Sequence, residues 1–417
     1  SARTISAYIY ADAGEGESTT DVVFSAHNLI CENGTVLAES RRFTNQMVIT
    51  EIDIKKLSVE RRRMNTYECE GVQDYRVVAF DMPIEETVLT RRFAQTPFIP
   101  SDKQRRTERC EEIFTLQAMG LKKRLAHTNC QSAVIGLSGG LDSTLALLVT
   151  ARAFDLAGMD RKGILGITMP GYGTTDRTYQ NALTMARTLG VTLKEISIVP
   201  AVDQHFRDIE HDKAIHDITY ENSQARERTQ ILMDMANQSN GMVIGTGDLS
   251  EMALGWATYN GDHMSMYAVN VSIPKTLVRH LVQYVADTCE DEELTRVLLD
   301  VLDTPVSPEL LPPDHGEIVQ KTEDVVGPYE LHDFFLYYMM RFGFAPSKIY
   351  RIAVCAFRDK YGKETIEKWL KKFYWRFFSQ QFKRSCVPDG PKVGTVAVSP
   401  RGDWRMPSDA SVAMWIQ

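Results

Sequence analysis

The sequence predicts an α/β protein with a parallel sheet that helices cover on both faces. Short apolar runs rich in β-branched residues recur in the middle of the chain, at residues 133–137, 163–169, 195–199 and 241–245. The segments between them carry helical stripes, such as Leu141, Leu145, Leu148 and Val149. The first two runs begin about 30 residues apart, which is the spacing of a strand–helix–strand unit. Apolar strands that alternate with amphipathic helices indicate a sheet buried on both faces.

Residues 1–85 predict a separate, β-rich domain. Asn33-Gly34 separates the apolar pairs Leu29-Ile30 and Val36-Leu37. Both turn residues tolerate a positive φ, so this pattern predicts a β-hairpin. Further strands are expected at residues 22–24, 46–54 and 75–80. Little helix is available here to cover these strands, so we expect the chain to be a fragment or a processed piece of a protein that supplies another layer.

Composition changes along the chain predict the domain organisation. Residues 86–110 contain Arg91-Arg92, two prolines and a mixed charged run, which indicates a linker. Residues 111–417 are expected to form the second domain. Within it, the proline-rich stretch 304–313 cannot be regular structure. A surface loop is the preferred interpretation of that stretch, and a lid that closes over a reactive intermediate is the alternative.

The overall composition excludes several classes of protein. A formal net charge of −8 argues against a protein that coats nucleic acid. The 7 cysteines include no C-x-x-C pair, which argues against a zinc knuckle, a dithiol redox motif and a disulfide-rich scaffold. No apolar run reaches the roughly 18 residues of a membrane span. These observations predict a cytoplasmic protein with no nucleic-acid partner and no membrane partner.

The segment richest in chemical groups is Ser138-Gly139-Gly140-Leu141-Asp142-Ser143, between a predicted strand and a predicted helix. Two glycines there let backbone N–H groups face a ligand, and the start of a helix attracts anions. The segment lacks the lysine of a Walker A loop, and residues 245–250 lack the third glycine of a dinucleotide fingerprint. The alternative is a glycine-rich turn with Ser143 as a helix N-cap.

This segment resembles the pyrophosphate loop of the ATP pyrophosphatase superfamily, which has a Rossmann-like, adenine nucleotide alpha hydrolase-like fold. Residues 243–276, which run from Val243-Ile-Gly-Thr246 to Pro-Lys275-Thr276, resemble glutamine-dependent NAD synthetases. The resemblance spans about 111–417 and includes residues 381–384 and 399–404. Residues 1–85 resemble the last part of the nitrilase-like glutaminase domain of that family, through residues 10–19 and 27–40.

The resemblance implies a site for ATP and Mg²⁺. Ser138 and Ser143 would donate to the departing pyrophosphate, and Asp142 and Glu251 would be the Mg²⁺ ligands. Lys275 would neutralise the charge that develops as pyrophosphate leaves. The full set implied for ATP and pyrophosphate is Gly136, Leu137, Ser138, Gly139, Gly140, Leu141, Asp142, Ser143, Thr246 and Lys275.

The resemblance also implies a deamido-NAD site and two catalytic residues, Asp262 and Lys275. Asp262 would lie near the incoming ammonia. The residues implied for deamido-NAD are Asn222, Glu251, Trp256, Ala257, Thr258, Tyr259 and Lys383. Several of these assignments have a structural alternative. Glu251 can complement a helix dipole, and Asp262 can belong to a turn. Trp256 and Tyr259 can be aromatic residues of the core, and Lys383 can be a solvated cation.

The implied reaction is the ATP-dependent amidation of deamido-NAD, which releases AMP and pyrophosphate. In the full-length family the ammonia comes from glutamine, through a cysteine nucleophile with glutamate and lysine partners. None of these can be assigned here, since Cys31 follows Leu29-Ile30 in a predicted strand and Cys69 precedes the linker. We therefore expect this chain alone to use free ammonia.

Other interpretations of the loop remain open at the sequence level. One is another amidating or tRNA-modifying ATP pyrophosphatase, against which the acidic charge and the absence of paired cysteines argue. Another is a non-catalytic fragment kept for assembly, but Ser138, Asp142, Ser143, Glu251 and Lys275 are all in place. The resemblance further implies a homo-oligomer.

Overall fold

The computed structural model describes residues 1–66, 76–83, 85–305, 310–311 and 322–417. The strands are β1 Ala7–Tyr10, β2 Leu29–Glu32, β3 Thr35–Glu39, β4 Ser132–Gly136, β5 Ile164–Thr168, β6 Thr192–Glu195, β7 Gly241–Gly245 and β8 Tyr267–Ala268. The helices are α1 Ile54–Arg63, α2 Lys103–Thr128, α3 Leu141–Ala157, α4 Asp176–Thr188, α5 Val199–Asp208, α6 Ile218–Gln238, α7 Leu249–Leu254, α8 Lys275–Thr288, α9 Glu292–Asp303, α10 Thr322–Val326, α11 Tyr329–Phe342, α12 Pro346–Ala356, α13 Lys363–Ser379 and α14 Gln381–Arg384.

The chain forms two compact units. One comprises Ser1–Phe93 and Phe342–Lys360, and the other comprises Ala94–Arg341 and Tyr361–Gln417. The first unit therefore includes α12, which follows the aromatic helix α11 in sequence. Within this unit, Lys348 on α12 places its Nζ 2.5 Å from Oδ1 of Asp53, the N-cap residue of α1.

The first unit contains an antiparallel sheet in the order β1-β2-β3. The predicted hairpin is confirmed, because β2 and β3 pair directly on either side of the turn. Asn33 and Gly34 in that turn have φ of +44° and +83°, the positive values that favour these residue types. Glu32 at the end of β2 is fully buried and forms ion pairs with Lys56 and Arg91.

Three other strand predictions in this unit were wrong. Residues 22–24, 46–53 and 76–80 contain no strand, and Tyr75 lies outside the described residues. Ile54 instead begins α1, because the Asp53 carboxylate accepts a hydrogen bond from the Lys56 N–H and caps a helix there. An apolar run without pairing partners is therefore a weak predictor of a strand.

The second unit contains a five-stranded parallel sheet in the order β6-β5-β4-β7-β8. Alternate residues of β4 face two apolar layers, as period-two geometry requires. Ala133 and Ile135 pack in the layer of α2, α3, α8 and α9. Val134 packs in the opposite layer, with residues of α5 and α6. The predicted parallel sheet covered on both faces is confirmed.

Two boundaries in this unit differ from the sequence prediction. α2 begins at Lys103, inside the stretch expected to be a linker, because Asp102 caps the helix by accepting from the Arg105 N–H. The strand expected at residues 195–199 lies earlier, at β6, and Val199 begins α5 with proline in its first turn. In the part of the chain described, no helix is both long and apolar enough to cross a membrane.

Candidate functional site

The order of the strands places a crevice at one edge of the parallel sheet. The chain runs from β4 outward to β5 and β6, and β7 then pairs on the other side of β4. The carboxyl ends of β4 and β7 therefore flank a topological switch point, where open α/β sheets bind ligands. A cavity of about 660 Å³ opens there. It is lined by most of the residues that the sequence predicted for the site.

The loop after β4 has the geometry of an anion site. Gly139 has a φ of +76°, and a Cβ there would lie 1.9 Å from the Thr178 carbonyl oxygen, so the loop requires glycine. Ser138 Oγ lies 3.0 Å from Ser143 Oγ and accepts from the Gly140 N–H at 3.2 Å. The interpretation of Ser143 as an N-cap was wrong: the helix begins at Leu141 and Gly140 is its N-cap, without a side-chain cap. The first N–H groups of α3 are thus left for a ligand.

A lysine surrounded by three carboxylates lies beside this loop. Lys275 is 2% exposed, and its Nζ lies 2.6 Å from Asp142 Oδ2, 2.7 Å from Asp248 Oδ2 and 3.0 Å from Glu251 Oε1. The other oxygen of Asp142, Oδ1, is buried and has no hydrogen-bond partner among the residues described. Lys275 and Gly139 do not line the cavity, but Asp142 and Glu251 do.

The local fold explains why these carboxylates converge. Asp248 and Glu251 form a capping box on α7, in which Asp248 accepts from the Glu251 N–H at 2.8 Å. Glu251 therefore lies in the first turn of α7, where its structural alternative requires it, and the same side chain also faces Lys275. Lys275 is the first residue of α8, so the starts of α3, α7 and α8 meet at this point.

Burial and charge shift the ionisation of the cluster. Burial raises the pKa of Glu251 to about 7. The charge of Asp142 adds to this shift, and the charge of Lys275 opposes it. Burial alone disfavours the charged form of Lys275, but the three carboxylates outweigh it and raise the pKa of Lys275 well above its usual value. Lys275 therefore stays protonated throughout the physiological range.

Two buried polar residues that sequence reasoning missed hold the loops in place. Asn270 donates from Nδ2 to the carbonyl oxygens of Asp142, at 3.0 Å, and Thr246, at 3.1 Å. It thereby fixes the spacing between the loop after β4 and the loop after β7. Gln117 on α2 donates from Nε2 to Asn270 Oδ1 at 3.1 Å. Both residues are fully buried.

Asp333 on α11 is a third residue that the sequence did not reveal. Its carboxylate accepts from the Ser250 hydroxyl and from both the N–H and the hydroxyl of Thr276. These bonds connect α11 to the first turns of α7 and α8, which carry Glu251 and Lys275. Asp248 could have been found from sequence, because D-x-x-E is a capping-box pattern. Asp333 and Asn270 have no such local signal.

The segment after α7 forms the opposite wall of the cavity. Gly255 ends α7 in the left-handed conformation, and Lys383 Nζ donates to the carbonyl oxygens of Gly255, at 2.9 Å, and Ala257, at 2.6 Å. The Arg376 guanidinium lies 5.1 Å from the centre of the Trp256 ring, a cation–π distance. Trp256, Ala257, Thr258, Tyr259 and Lys383 all line the cavity.

Thr258 connects this wall to two other predicted residues. Its hydroxyl donates to Asn222 Oδ1 at 2.7 Å, and its N–H donates to Asp262 Oδ1 at 2.6 Å. Asp262 thus has the turn contact that its structural alternative implied, and it also borders the cavity. The aromatic pair is not core: Tyr259 is 45% exposed and faces the cavity with Trp256.

Comparisons with known proteins agree with this geometry. The chain forms a parallel α/β sheet with a crevice at its switch point, and the profile of the family described as NAD synthase matches residues 113–349, more than half of the chain. The chain belongs to the NAD synthase family.

Curated relatives extend the match over the whole chain. The glutamine-dependent NAD(+) synthetase of Mycobacterium leprae is 43% identical over 100% of this chain, which spans 66% of that relative's length. The protein of the same name from Aquifex aeolicus is 28% identical, over 96% of this chain and 64% of its own length.

A solved structure gives the same fold. The crystal structure of a glutamine-dependent NAD(+) synthetase from Cytophaga hutchinsonii superposes with a TM-score of 0.60 at 18% identity. The match covers 99% of this chain and 65% of that one. At this identity the likeness confirms the predicted fold class.

Proposed function

We propose that this chain catalyses the ATP-dependent amidation of deamido-NAD to NAD. The observation that carries the proposal is the meeting, in one cavity, of a glycine loop suited to phosphates with the carboxylates that surround Lys275. Membership of the NAD synthase family supports the choice of acceptor. The curated relatives bear the name glutamine-dependent NAD(+) synthetase, which supports the choice of product.

ATP would bind with its phosphates on the loop after β4. The backbone of residues 136–143 would contact the β and γ phosphates, and the hydroxyls of Ser138 and Ser143 would donate to them. Thr246, on the loop after β7, would contact the same nucleotide from across the switch point. Lys275 would remain protonated and oppose the charge that accumulates on departing pyrophosphate.

The carboxylates suit a magnesium ion. The ligand oxygens of Asp142, Asp248 and Glu251 lie within 4.8 Å of one another, and Mg²⁺ prefers oxygen ligands. Asp142 Oδ1 is buried without a partner among the residues described, as expected of an atom that awaits a cation. Asp142 and Glu251 would hold the ion. When bound, it would neutralise the phosphate oxygens of ATP.

Deamido-NAD would bind along the wall formed by the segment after α7. Trp256 and Tyr259 offer aromatic faces to the cavity, and Thr258 with Asn222 offers hydrogen-bonding groups. Glu251 would contact the same substrate. Lys383 would contribute a positive charge toward a substrate phosphate, since it lines the cavity from the C-terminal segment.

The reaction would proceed in two displacements. A nicotinate carboxylate oxygen attacks the α phosphorus of ATP, the bond to the bridging oxygen breaks, and pyrophosphate leaves. Ammonia then attacks the carbonyl carbon of the acyl adenylate, and AMP leaves with the electron pair of the broken bond. Asp262 would accept a proton from the nitrogen, and its carboxylate is held for that purpose by the Thr258 N–H.

The nitrogen donor of this chain is proposed to be free ammonia. Cys31 lies within β2 and is partly buried, and Cys69 lies outside the described residues. Neither residue is assigned as a glutaminase nucleophile here. In the full-length protein we propose that ammonia comes from glutamine, as the names of the relatives indicate for them. A cytoplasmic location and a homo-oligomeric state are further proposals, drawn from the family resemblance.

The proposal is tested by incubating the purified chain with ATP, Mg²⁺ and deamido-NAD, adding either an ammonium salt or glutamine. With ammonium, we expect NAD, AMP and pyrophosphate in equal amounts by chromatography. With glutamine alone, we expect none above background. Formation of ADP would contradict the proposed chemistry, and turnover supported by glutamine would contradict only the proposed nitrogen donor.

A further inference from the structure

We infer that the Lys275 ammonium acts as a resident counter-ion that occupies the metal position of the nucleotide-free protein, so that a metal ion and ATP must bind together. This inference rests on the proposed function, because it takes Asp142 and Glu251 as the metal ligands. It adds a role for Lys275 before any chemistry begins.

The geometry of the cluster leaves one central position. Lys275 Nζ lies 2.6–3.0 Å from one oxygen of each of the three carboxylates that converge on it. Magnesium binds oxygen at about 2.1 Å. An ammonium and a metal ion cannot both occupy the point shared by these oxygens, since their like charges would then lie almost in contact.

The carboxyl groups outnumber the ammonium that faces them. Three of them converge on Lys275 in a cluster that is largely closed to water. Asp142 Oδ1 still lacks a hydrogen-bond partner in the described parts of the chain. The lysine therefore stabilises the cluster without satisfying every carboxylate oxygen, which leaves a ligand atom for a cation.

The surroundings of Lys275 decide where the ammonium can go. The centre of the Tyr329 ring lies 5.2 Å from Nζ. Asp142 is shared between the lysine cluster and the first turn of α3, which follows the phosphate loop. The phosphates of ATP, bound on that loop, would offer the ammonium new anionic partners. Nucleotide binding would thus draw Lys275 away from the carboxylates and open them to the metal.

The experiment measures Mn²⁺ binding to the nucleotide-free protein by electron paramagnetic resonance, in the wild type and in Lys275→Gln. We expect the variant to bind Mn²⁺ at least about tenfold more tightly, because a contacting positive charge is gone. Lys383→Gln is the matched control: it removes the same charge from the cavity wall, where Nζ donates to the carbonyl oxygens of Gly255 and Ala257. The control should match the wild type.

Equal Mn²⁺ affinity in the wild type and Lys275→Gln would overturn the inference, whether that affinity is high or low. If Lys275→Gln does not fold, the wild type alone decides. Its melting temperature should not rise with Mg²⁺ alone, but should rise when α,β-methylene-ATP is added with Mg²⁺. A rise with Mg²⁺ alone would overturn the inference. Neither measurement involves turnover, so each remains distinct from a failure of the proposed reaction.

Discussion

Asn270 is the residue that aligns the two loops of the proposed nucleotide site. One side-chain amide donates to carbonyl oxygens on both loops, and its partners lie 128 and 24 residues away in sequence. The motif residues 138–143 could be predicted because their chemistry is contained in one short segment. Asn270 could not, since a buried amide becomes informative only when the fold brings its partners to it.

We predict that Asn270→Asp destabilises the protein and impairs the use of ATP. The new carboxylate would turn an acceptor toward two carbonyl oxygens, and the free energy of unfolding should fall by about 1–3 kcal/mol. The kcat/KM for ATP should fall about tenfold or more, since the loops lose their common anchor. Urea unfolding and the dependence of pyrophosphate release on ATP check these effects. Asn240→Asp, at an exposed turn position, is the control and should change neither quantity appreciably.

The buried side chain of His332 should make the free energy of unfolding depend on pH. It is 1% exposed and its Nε2 lies 2.7 Å from the Val326 carbonyl oxygen. Burial lowers the pKa of His332 to about 4, from an ordinary value of 6.5. The folded protein therefore keeps the ring neutral while the unfolded chain takes up a proton. Stability from this source is complete above pH 6.5 and declines as the pH falls toward 4.

His332→Gln tests this dependence, because glutamine keeps a donor for the carbonyl but does not titrate. Between pH 6.5 and 5, the wild type should lose about 1–2 kcal/mol more of its free energy of unfolding than the variant loses. Urea unfolding at the two pH values measures the difference. An identical loss in both proteins would show that His332 does not control this part of the profile.

At the scale of elements, the end of α7 decides the shape of the cavity wall proposed to bind deamido-NAD. Gly255 has a φ of +58°, and a Cβ there would lie 2.2 Å from Gln380 Cβ. The Arg384 side chain, which is 1% exposed, donates to the carbonyl oxygens of Met252 and Ala253 at the same helix end. α7 therefore has to stop at Gly255 for the segment after it to face the cavity.

Gly255→Ala should raise the KM for deamido-NAD more than it lowers kcat, because the change displaces the binding wall and not the phosphate loop. Gly190→Ala is the matched control: Gly190 has a φ of +72° but open space where a Cβ would lie. The control should show only the conformational cost, about 1–2 kcal/mol of unfolding free energy. Gly255→Ala should lose more unfolding free energy than the control, since its Cβ would also collide with Gln380, the residue that follows α13. Equal effects on stability and KM in the two variants would contradict this assignment.

The elements also show what a sequence pattern can predict. The hairpin at Asn33-Gly34 and the strand β7 were predicted correctly, because turn chemistry and a short buried run are local signals. The strand prediction at residues 46–53 was wrong, since the apolar residues there pair with no other strand of the described chain. The stretch 304–313, predicted as a surface loop with a lid as the alternative, lies mostly outside the described residues, although Thr304 and Leu310 line the cavity.

At the scale of the whole molecule, the fold gathers the site from segments far apart in sequence. Four parts of the chain meet at the switch point of one sheet: the phosphate loop, α7, the start of α8 and the C-terminal Lys383. Sequence reasoning placed most of these residues in one site through a family resemblance. It could not supply the buried hydrogen bonds that Asn270, Gln117 and Asp333 make behind them, because their partners come together only in three dimensions.

The most direct test of the account follows the oxygen atoms of the deamido-NAD carboxylate. If the phosphate loop and the carboxylate–lysine cluster support acyl adenylate formation, one carboxylate oxygen must leave with AMP. Deamido-NAD labelled with ¹⁸O in that carboxylate should therefore give AMP carrying one ¹⁸O atom per NAD formed, measured by mass spectrometry. Unlabelled AMP, or ADP with labelled orthophosphate, would contradict the account.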